Sequence, residues 1–395
     1  MKIALLGFGV VGQGFYEIFA DQKQSLIDEF NQPIEIGKVL IRPNEQHENF
    51  KVLSFTDRFE DILSYKPDVV ISAMGGITPA FTYASKVMAN GSSFITSNKD
   101  LIASHYDELH QIAKKNNVRL LFEASVAGTI PLIKTIREDL RGNTFKGFEG
   151  IVNGTTNYIL SSMSNDKIDY SEALLRAQNK GFAESDPTSD VEGKDAIRKT
   201  TILVNQLFKQ SFVDKDISGS GITKLPQRMI EFTQNNDAKI KLLAYAFRRD
   251  QKIYANVRPV IVCSSHPLYY VDYEMNEVSI EGHACGKIRL NGSGAGKLTT
   301  GSAVFSDLYD FMLKPNQVTY YNPVEALTLD NSYETNAYFL PHKPLKPATI
   351  NALIGNGIIF NTENGDSLIK ASGEYNAKEI LESFSESEEV YIVLR

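Results

Sequence analysis

MKIALLGFGVVGQGF, residues 1–15, sets a short apolar run against a glycine-rich turn and the first residues of a helical pattern. Gly7, Gly9 and Gly12 stand in the spacing G-x-G-x-x-G, directly after a predicted strand at 3–6 and before a predicted helix at 15–30. Each glycine has its own reason to lack a side chain. The first permits the tight turn, the second lets a pyrophosphate approach the backbone, and the third lets helix and strand pack closely. A helix beginning there aims unpaired N–H groups and the positive end of its dipole at the anion. Gly7, Phe8, Gly9, Val10, Val11 and Gly12 are therefore the expected cradle of a dinucleotide cofactor. A ligand-free glycine turn is the plainer alternative, disfavoured by the alternating pattern around the motif.

Outward from this turn, strands predicted at 36–41, 69–73, 94–96 and 120–122 alternate with amphipathic stretches at 79–89 and 106–115. That alternation predicts an α/β, Rossmann-like doubly wound domain over residues 1–135. Ligands of such sheets bind outside the carboxyl ends of the strands. At the end of the second predicted strand the chain reads Ile41-Arg42-Pro43-Asn44, without the Asp or Glu that would hold a ribose 2′-hydroxyl. The Arg42 guanidinium can pair with a 2′-phosphate, so NADP(H) is expected in preference to NAD(H), which the fold also admits.

At 395 residues the chain exceeds one compact core, and two or three domains are expected. A formal charge of −7 without a dense basic block argues against a nucleic-acid or anionic-membrane partner. No run approaches the ~20 apolar residues that span a bilayer. Cys263 and Cys285 show neither CxxC spacing nor a disulfide framework, which predicts a reducing, cytoplasmic compartment. The apolar N-terminus is broken by glycines and lacks a small-residue cleavage site, so it reads as strand and turn, not as a signal peptide.

Past residue 136 the texture changes. Helices predicted at 156–162, 171–178 and 194–208 precede strand-like runs at 253–257, 260–263 and 278–280, as in an α+β domain over 136–295 with helices on one face of a mostly antiparallel sheet. NGSGAG (291–296) reads as a turn before a helix at 302–312, returning the chain to the first domain over about 296–320. Residues 330–395 run strand 337–340, helix 348–354, strands 358–360 and 367–370, helix 378–384, strand 390–394. That order is ferredoxin-like and predicts a small separate module.

GFAESDPTSDVEGKDAIRK, residues 181–199, gathers five carboxylates and two lysines beside Gly and Pro. Burying such groups is costly without partners, so the segment is either a solvated turn or a site for a small charged substrate. Glu184, Asp186 and Asp190 offer anionic oxygens to a substrate ammonium, and an α-amino acid is the obvious candidate. Hydride transfer to a carbonyl also needs a group that protonates the developing alkoxide. Lys199 follows Asp195 by four residues on a predicted helix, so the carboxylate can orient the ammonium. Lys99, in FITSNK, follows a strand at the carboxyl end of the sheet. An ordinary surface pair and a solvated loop lysine are the plain alternatives. His105, His110, His266 and His283 lack metal-ligand spacing, and no Ser or Cys has a persuasive base nearby.

GFGVVG, TSNK (96–99), EASVAGTIP (123–131), NGTTNYIL (153–160), the 181–199 block and NGSGAG, in this order, resemble the homoserine dehydrogenase family over about residues 1–320. The resemblance implies an NAD(P)-dependent oxidoreductase that interconverts L-aspartate 4-semialdehyde and L-homoserine, on the branch to threonine, methionine and isoleucine. It implies that Lys199 is the proton donor, that Asp195 supports it, that Lys99 is a second lysine touching the cofactor, and that Glu184 and Asp190 bind the amino acid. It also implies a monovalent cation, usually sodium, on Glu123, Val126, Gly128 and Ile130, mostly through backbone carbonyls. A homodimer or higher homo-oligomer, assembled through the second domain, is expected with a small-molecule substrate.

The chain departs from the family pattern in places. Lys297-Leu298-Thr299-Thr300 replaces the usual Pro and Thr, and Thr129 replaces a common Gly. The tail has the order of an ACT-like regulatory module but carries His342-Lys343-Pro344 at its ligand turn, so feedback by threonine is an expectation only. Rival readings are another amino-acid-pathway dehydrogenase and a non-catalytic nucleotide and amino-acid sensor. The two lysines speak against the sensor, and aspartate-semialdehyde dehydrogenase would need a positioned cysteine.

Overall fold

The computed structural model describes residues 1–315, 317, 326–330, 338–341, 345–349, 351, 359–363, 366–370 and 390–394. Two compact units emerge: Met1–Phe145 with Arg198–Asp216 and Gly282–Leu327, and Lys146–Ile197 with Ile217–Glu281 and Thr328–Arg395. The division expected at residue 135 thus falls at 145, segment 198–216 groups with the first unit, and the return segment begins at 282, not 296.

The first unit carries β1 (Lys2–Leu6), β2 (Glu35–Leu40), β3 (Phe55–Thr56), β4 (Val69–Ser72), β5 (Ser93–Thr96) and β6 (Leu120–Leu121). They form a parallel sheet in the order β3-β2-β1-β4-β5-β6. The doubly wound expectation is met, with the order reversing between β1 and β4. Residues 3–6 and 69–72 are buried throughout, the near-continuous apolar run of a strand covered on both faces. The helix Val10–Phe30 buries Phe15, Phe19 and Leu26 against this sheet.

The helix Lys297–Leu313 packs on Val10–Phe30 so closely that backbones meet. A Cβ added to Gly14 would lie 2.1 Å from the Lys297 carbonyl oxygen, and one on Gly301 would lie 2.5 Å from the Gly14 carbonyl carbon. This contact explains why the helix starts at 297, five residues before its predicted start. Arg119, buried just before β6, closes the other end. Its guanidinium donates to the carbonyls of Asp310 (2.8 Å) and Lys314 (3.0 Å) and to the Asp310 carboxylate (2.5 Å), adding a charged donor to carbonyls at the end of the helix.

Further strands are β7 (Phe145–Ile151), β8 (Ala238–Arg249), β9 (Lys252–Cys263), β10 (Met275–Gly282), β11 (Gly286–Ser293), β12 (Thr328–Asp330), β13 (Tyr338–Pro341), β14 (Ile359–Glu363), β15 (Asp366–Lys370) and β16 (Val390–Leu394). In the second unit the order is β10-β7-β8-β9-β16-β13-β15-β14, with β12 beside β9. The runs predicted at 253–257 and 260–263 are one strand. Val257 exchanges hydrogen bonds with Ser218 and Ser220 on the edge away from β8. Two residues on, Pro259 turns its missing donor to that same edge, before β16 pairs at Ile261 and Val262.

The sequence pattern did not predict β3, β7, β8, β11 or β12. AKIKLLAYAFRR of β8 is rich in good helix formers and buried on both faces, so it shows no two-residue alternation. NGSGAG is only half a turn, because residues 291–293 belong to β11. The C-terminal strands show the expected pairing of β13 with β15 and β16 and of β14 with β15, yet the tail is not separate: β16 adds to the second unit's sheet by pairing parallel with β9. Residues 342–344, residues 378–384 and most of the helix predicted at 348–354 lie outside the described residues.

A buried cation fastens the helix Gly154–Asn165 to this sheet. Lys241 of β8, fully buried, donates to Asn157 Oδ1 (3.0 Å), Ser161 Oγ (3.3 Å), the Val271 carbonyl (2.5 Å) and Asp272 (3.0 Å). Burial pushes its amine down to about 8 against the pull of Asp272. Burial works to raise Asp272, but the hydrogen bond from Lys239 and the Lys241 charge bring it down to about 2.

Two stability predictions follow from these ion pairs. Asp310→Ala strands the Arg119 guanidinium and should cost about 3–5 kcal/mol, read as a lower urea midpoint at constant slope, while Arg119→Met with Asp310→Leu should recover most of it. An unchanged midpoint in the single variant would refute the pairing. Asp272→Asn acts through Lys241. An amine with a folded value near 8 and an unfolded value of 10.5 costs stability below pH 8, and the cost fades as pH rises toward 10.5. The Asp272→Asn deficit should therefore be large at neutral pH and small at about pH 10. Equal deficits at both would refute the linkage.

Candidate active site

A cleft of about 640 Å³ opens beyond the carboxyl ends of β1, β2 and β4, lined in part by Gly7, Gly9, Arg42, Asn44, Glu45 and Gly75. Gly7 adopts φ +89°, a conformation glycine reaches without strain. A Cβ on Gly12 would stand 2.6 Å from the Gly7 carbonyl oxygen, so helix and turn are in backbone contact there. Gly9 is different. A Cβ on it would meet nothing within 4 Å, which leaves room against the exposed N–H groups opening the helix Val10–Phe30. These residues fit a dinucleotide pyrophosphate.

The other members of the turn divide by role. The Phe8 ring is buried, edge-on to Tyr16, His47, Phe50 and Phe55 at 4.9–5.9 Å, and so stiffens the turn from beneath without stacking on a ligand. Val10 is exposed and Val11 half-buried. Arg42 extends into solvent at the cleft's rim, and its backbone N–H donates to Glu45 Oε2 at 3.2 Å. The other Glu45 oxygen lies 2.9 Å from His47 Nε2.

Lys99 opens the helix Lys99–Ser104 directly after β5 and is half-buried. Asn98 sets its position: its Oδ1 caps the helix by accepting from the Leu101 N–H (3.0 Å), and its Nδ2 donates to the Gly76 carbonyl (2.7 Å). Arg198 and Asp100 pair at 3.2 Å in the same unit.

The acidic block resolves into groups with distinct surroundings. Asp186 is exposed, and its carboxylate accepts from the Thr188 hydroxyl (2.6 Å) and N–H (3.1 Å), which hold it below the ordinary carboxylate range. It serves the turn into the short helix Thr188–Val191. Glu184 is exposed, and its carboxylate bonds to no other described residue. Asp190 is half-buried and Asp195 is 2% exposed. Between them Gly193 takes φ +82° with its Cβ position 3.1 Å from the Ser220 carbonyl oxygen, so the chain reverses tightly and both carboxylates reach one group. That group is Asn153, whose Nδ2 donates to Asp190 Oδ1 and Asp195 Oδ2, each at 2.7 Å. One turn beyond Asp195 on the helix Lys194–Phe208 stands Lys199, only 9% exposed. The solvated alternative for the 195/199 pair is excluded by this burial. Asn153 went unnoticed in the sequence, although an Asn before an apolar helical run is an N-cap signal.

Residues 123–130 form a buried loop in which Ala127 and Gly128 both take positive φ. The Glu123 carboxylate accepts from the N–H groups of Ile133 (3.0 Å) and Lys134 (2.6 Å), and burial raises its titration above the ordinary range. It is thus occupied with the chain beginning Leu132–Lys134. The Ile130 carbonyl accepts from the Leu132 N–H at 2.8 Å, while the Val126 and Gly128 carbonyls accept no hydrogen bond among the described residues. Those free oxygens, and not the carboxylate, are the donors that fit a hard monovalent cation. No cluster of His, Cys, Asp and Glu suited to a metal occurs among the described residues, and no described helix is long and apolar enough to cross a membrane.

Comparison with known proteins bears on both halves. Residues 7–123 match the family model for the homoserine dehydrogenase NAD-binding domain, and residues 131–309 match the model for homoserine dehydrogenase. The homoserine dehydrogenase of Bacillus subtilis (strain 168) is 38% identical over 315 residues, 79% of this chain and 73% of its own length. A homoserine dehydrogenase crystal structure from Thiobacillus denitrificans superposes with TM-score 0.88 at 27% identity, covering 100% of this chain and 98% of that one. A hyperthermophilic archaeal homoserine dehydrogenase in complex with NADPH superposes with TM-score 0.68 at 26% identity, covering 79% of this chain and 98% of that one. The chain therefore belongs to the homoserine dehydrogenase family, NAD(P)-dependent oxidoreductases that act on a CH–OH group.

Proposed function

We propose that this chain interconverts L-aspartate 4-semialdehyde and L-homoserine with Lys199 as the acid that protonates the carbonyl oxygen. The observation that carries the assignment is the burial of Lys199 one helical turn from Asp195. An ammonium is costly to bury, and one held beside a fixed carboxylate is oriented for proton transfer. The bound reduced nicotinamide supplies the hydride. Asp195 orients the Lys199 amine, Glu184 and Asp190 bind the substrate ammonium, and Lys99, at the mouth of β5, contacts cofactor and substrate carboxylate. Placement and preorganised charge account for most of the acceleration.

Arg42 selects NADP(H) by pairing with the 2′-phosphate, in keeping with its exposure at the cleft and with the NADPH bound by the archaeal relative. Glu45 supports a second reading, because a carboxylate in the same cleft suits the free ribose hydroxyls of NAD(H). The carbonyls of Val126 and Gly128, with those of Glu123 and Ile130 around them, are the proposed seat of sodium. A homodimer in the cytoplasm, on the pathway to threonine, methionine and isoleucine, completes the reading.

Lys199→Ala should lower kcat by roughly 10²-fold or more while leaving cofactor affinity unchanged, measured from the absorbance of the reduced nicotinamide with homoserine as substrate. A fully active variant would remove Lys199 from the mechanism. Arg42→Ala should weaken NADP(H) by about tenfold or more and leave NAD(H) unaffected, since a charge-assisted contact to phosphate is lost. Equal loss with both cofactors would transfer the selection elsewhere.

A further inference from the structure

Asp190 and Asp195 lie on different helices, and each is assigned a separate task in the reading above. Two carboxylates drawn to the same nitrogen repel, and away from bulk water that repulsion is poorly screened. They are nevertheless brought together by one amide. Asn153 is 4% exposed and is the N-cap of the helix Gly154–Asn165. Its Oδ1 accepts from the Thr156 N–H (2.8 Å) and the Thr156 hydroxyl (2.8 Å). The Thr156 N–H can only donate, so Oδ1 must face the helix and the Nδ2 must face the two acids. Its two protons match its two acceptors one to one.

The amide itself is held from both sides. Gly154 packs under the Glu274 carbonyl, where a Cβ would stand at 2.8 Å, and Asn157 and Ser161 farther along the helix are gripped by the buried Lys241. The charged side chains on the elements around Asn153 are Asp190 and the following Glu192 on the short helix, Lys194, Asp195, Arg198 and Lys199 on the helix Lys194–Phe208, Glu274 on the loop beneath, and Lys241, which grips the helix that Asn153 caps. Among them the Asn153 amide is a neutral double donor, which an aspartate of the same shape could not replace.

We infer that Asn153 is a positioning residue for the reaction: it ties the carboxylate that binds the substrate ammonium to the carboxylate that orients the acid, holding the two at fixed separation. The inference rests on the proposed roles of Asp190 and Asp195. It assigns to one amide the coupling between holding the amino acid and delivering the proton.

Asn153→Asp and Asn153→Ser test it in the full chain. Aspartate keeps the cap acceptor and the shape but confronts Asp190 and Asp195 with a third acid, so one proton must be retained among the three. Its kcat/KM for homoserine should show a descending limb as pH rises above the ordinary carboxylate range and that proton leaves, absent from the parent profile measured alongside. Serine keeps the cap but loses the double donor. It should raise KM for homoserine and lower kcat together, each by about tenfold, with no new limb. In both variants NADPH affinity, followed by cofactor fluorescence, should stay at the parent value.

Parent-like kcat, KM and pH profile in both variants would overturn the inference. So would losses that track thermal stability in both variants with no new limb in Asn153→Asp, which is what a cap alone produces. If Asn153→Asp does not fold, the joint kcat and KM effect in Asn153→Ser decides the matter. A fully active Lys199→Ala enzyme, by contrast, would sink the underlying mechanism whatever the Asn153 variants do.

Discussion

Charge removed from water must find its partner at once, and that constraint organises both units of this protein. Arg119 enters the first unit with its two terminal guanidinium nitrogens donating to the Asp310 carboxylate and two helix-terminal carbonyls. Lys241 enters the second because Asp272, Asn157, Ser161 and a carbonyl surround its amine. Such pairs add little net stability compared with apolar residues of similar volume, but losing half of one is severe. What they contribute is register. Arg119 locks the end of Lys297–Leu313 to the sheet, and Lys241 locks Gly154–Asn165, whose N-cap Asn153 reaches Asp190 and Asp195.

The same constraint explains why the acidic block is folded and not merely solvated. Its members divide by burial. Asp186 stays in water and shapes a turn, Glu184 stays in water with its carboxylate open, and Asp190 and Asp195 go inward, where each accepts an N–H of Asn153. Read from the sequence, Glu184, Asp186 and Asp190 are equivalent anionic oxygens, and only Asp195 is set apart, by its spacing from Lys199. The chain reversal at Gly193 and the helix that presents Asn153 make them different.

What was legible in the sequence was what depends on near neighbours along the chain. The strand, turn and helix around Gly7, Gly9 and Gly12, the alternation that yields the six-stranded sheet, and the four-residue spacing of Asp195 and Lys199 are all local patterns. Long-range facts were not legible. The strand Ala238–Arg249 has the composition of a helix and becomes a strand because twelve residues of Lys252–Cys263 pair with it. Glu123 reads as a loop acid beside a cation site, yet its carboxylate is spent on the N–H groups of Ile133 and Lys134, ten and eleven residues away. The tail has the strand order of a separate module, and only the pairing of β16 with β9 shows that it extends an existing sheet.

Glycine shows how the same residue type carries opposite meanings. Gly12 lacks a Cβ because the backbone of Gly7 is already there, and Gly14 and Gly301 lack one because two helices touch. Their neighbours are present in the folded chain, so their role is packing and would hold for a protein that bound nothing. Gly9 has an empty neighbourhood of 4 Å, so nothing within the chain requires it to be small. Any side chain could be accommodated there as far as folding is concerned. A position that is small without an internal cause, at the opening of a helix whose N–H groups face outward, is sized for something the chain does not contain, and the anion that the helix terminus favours is the partner of matching chemistry.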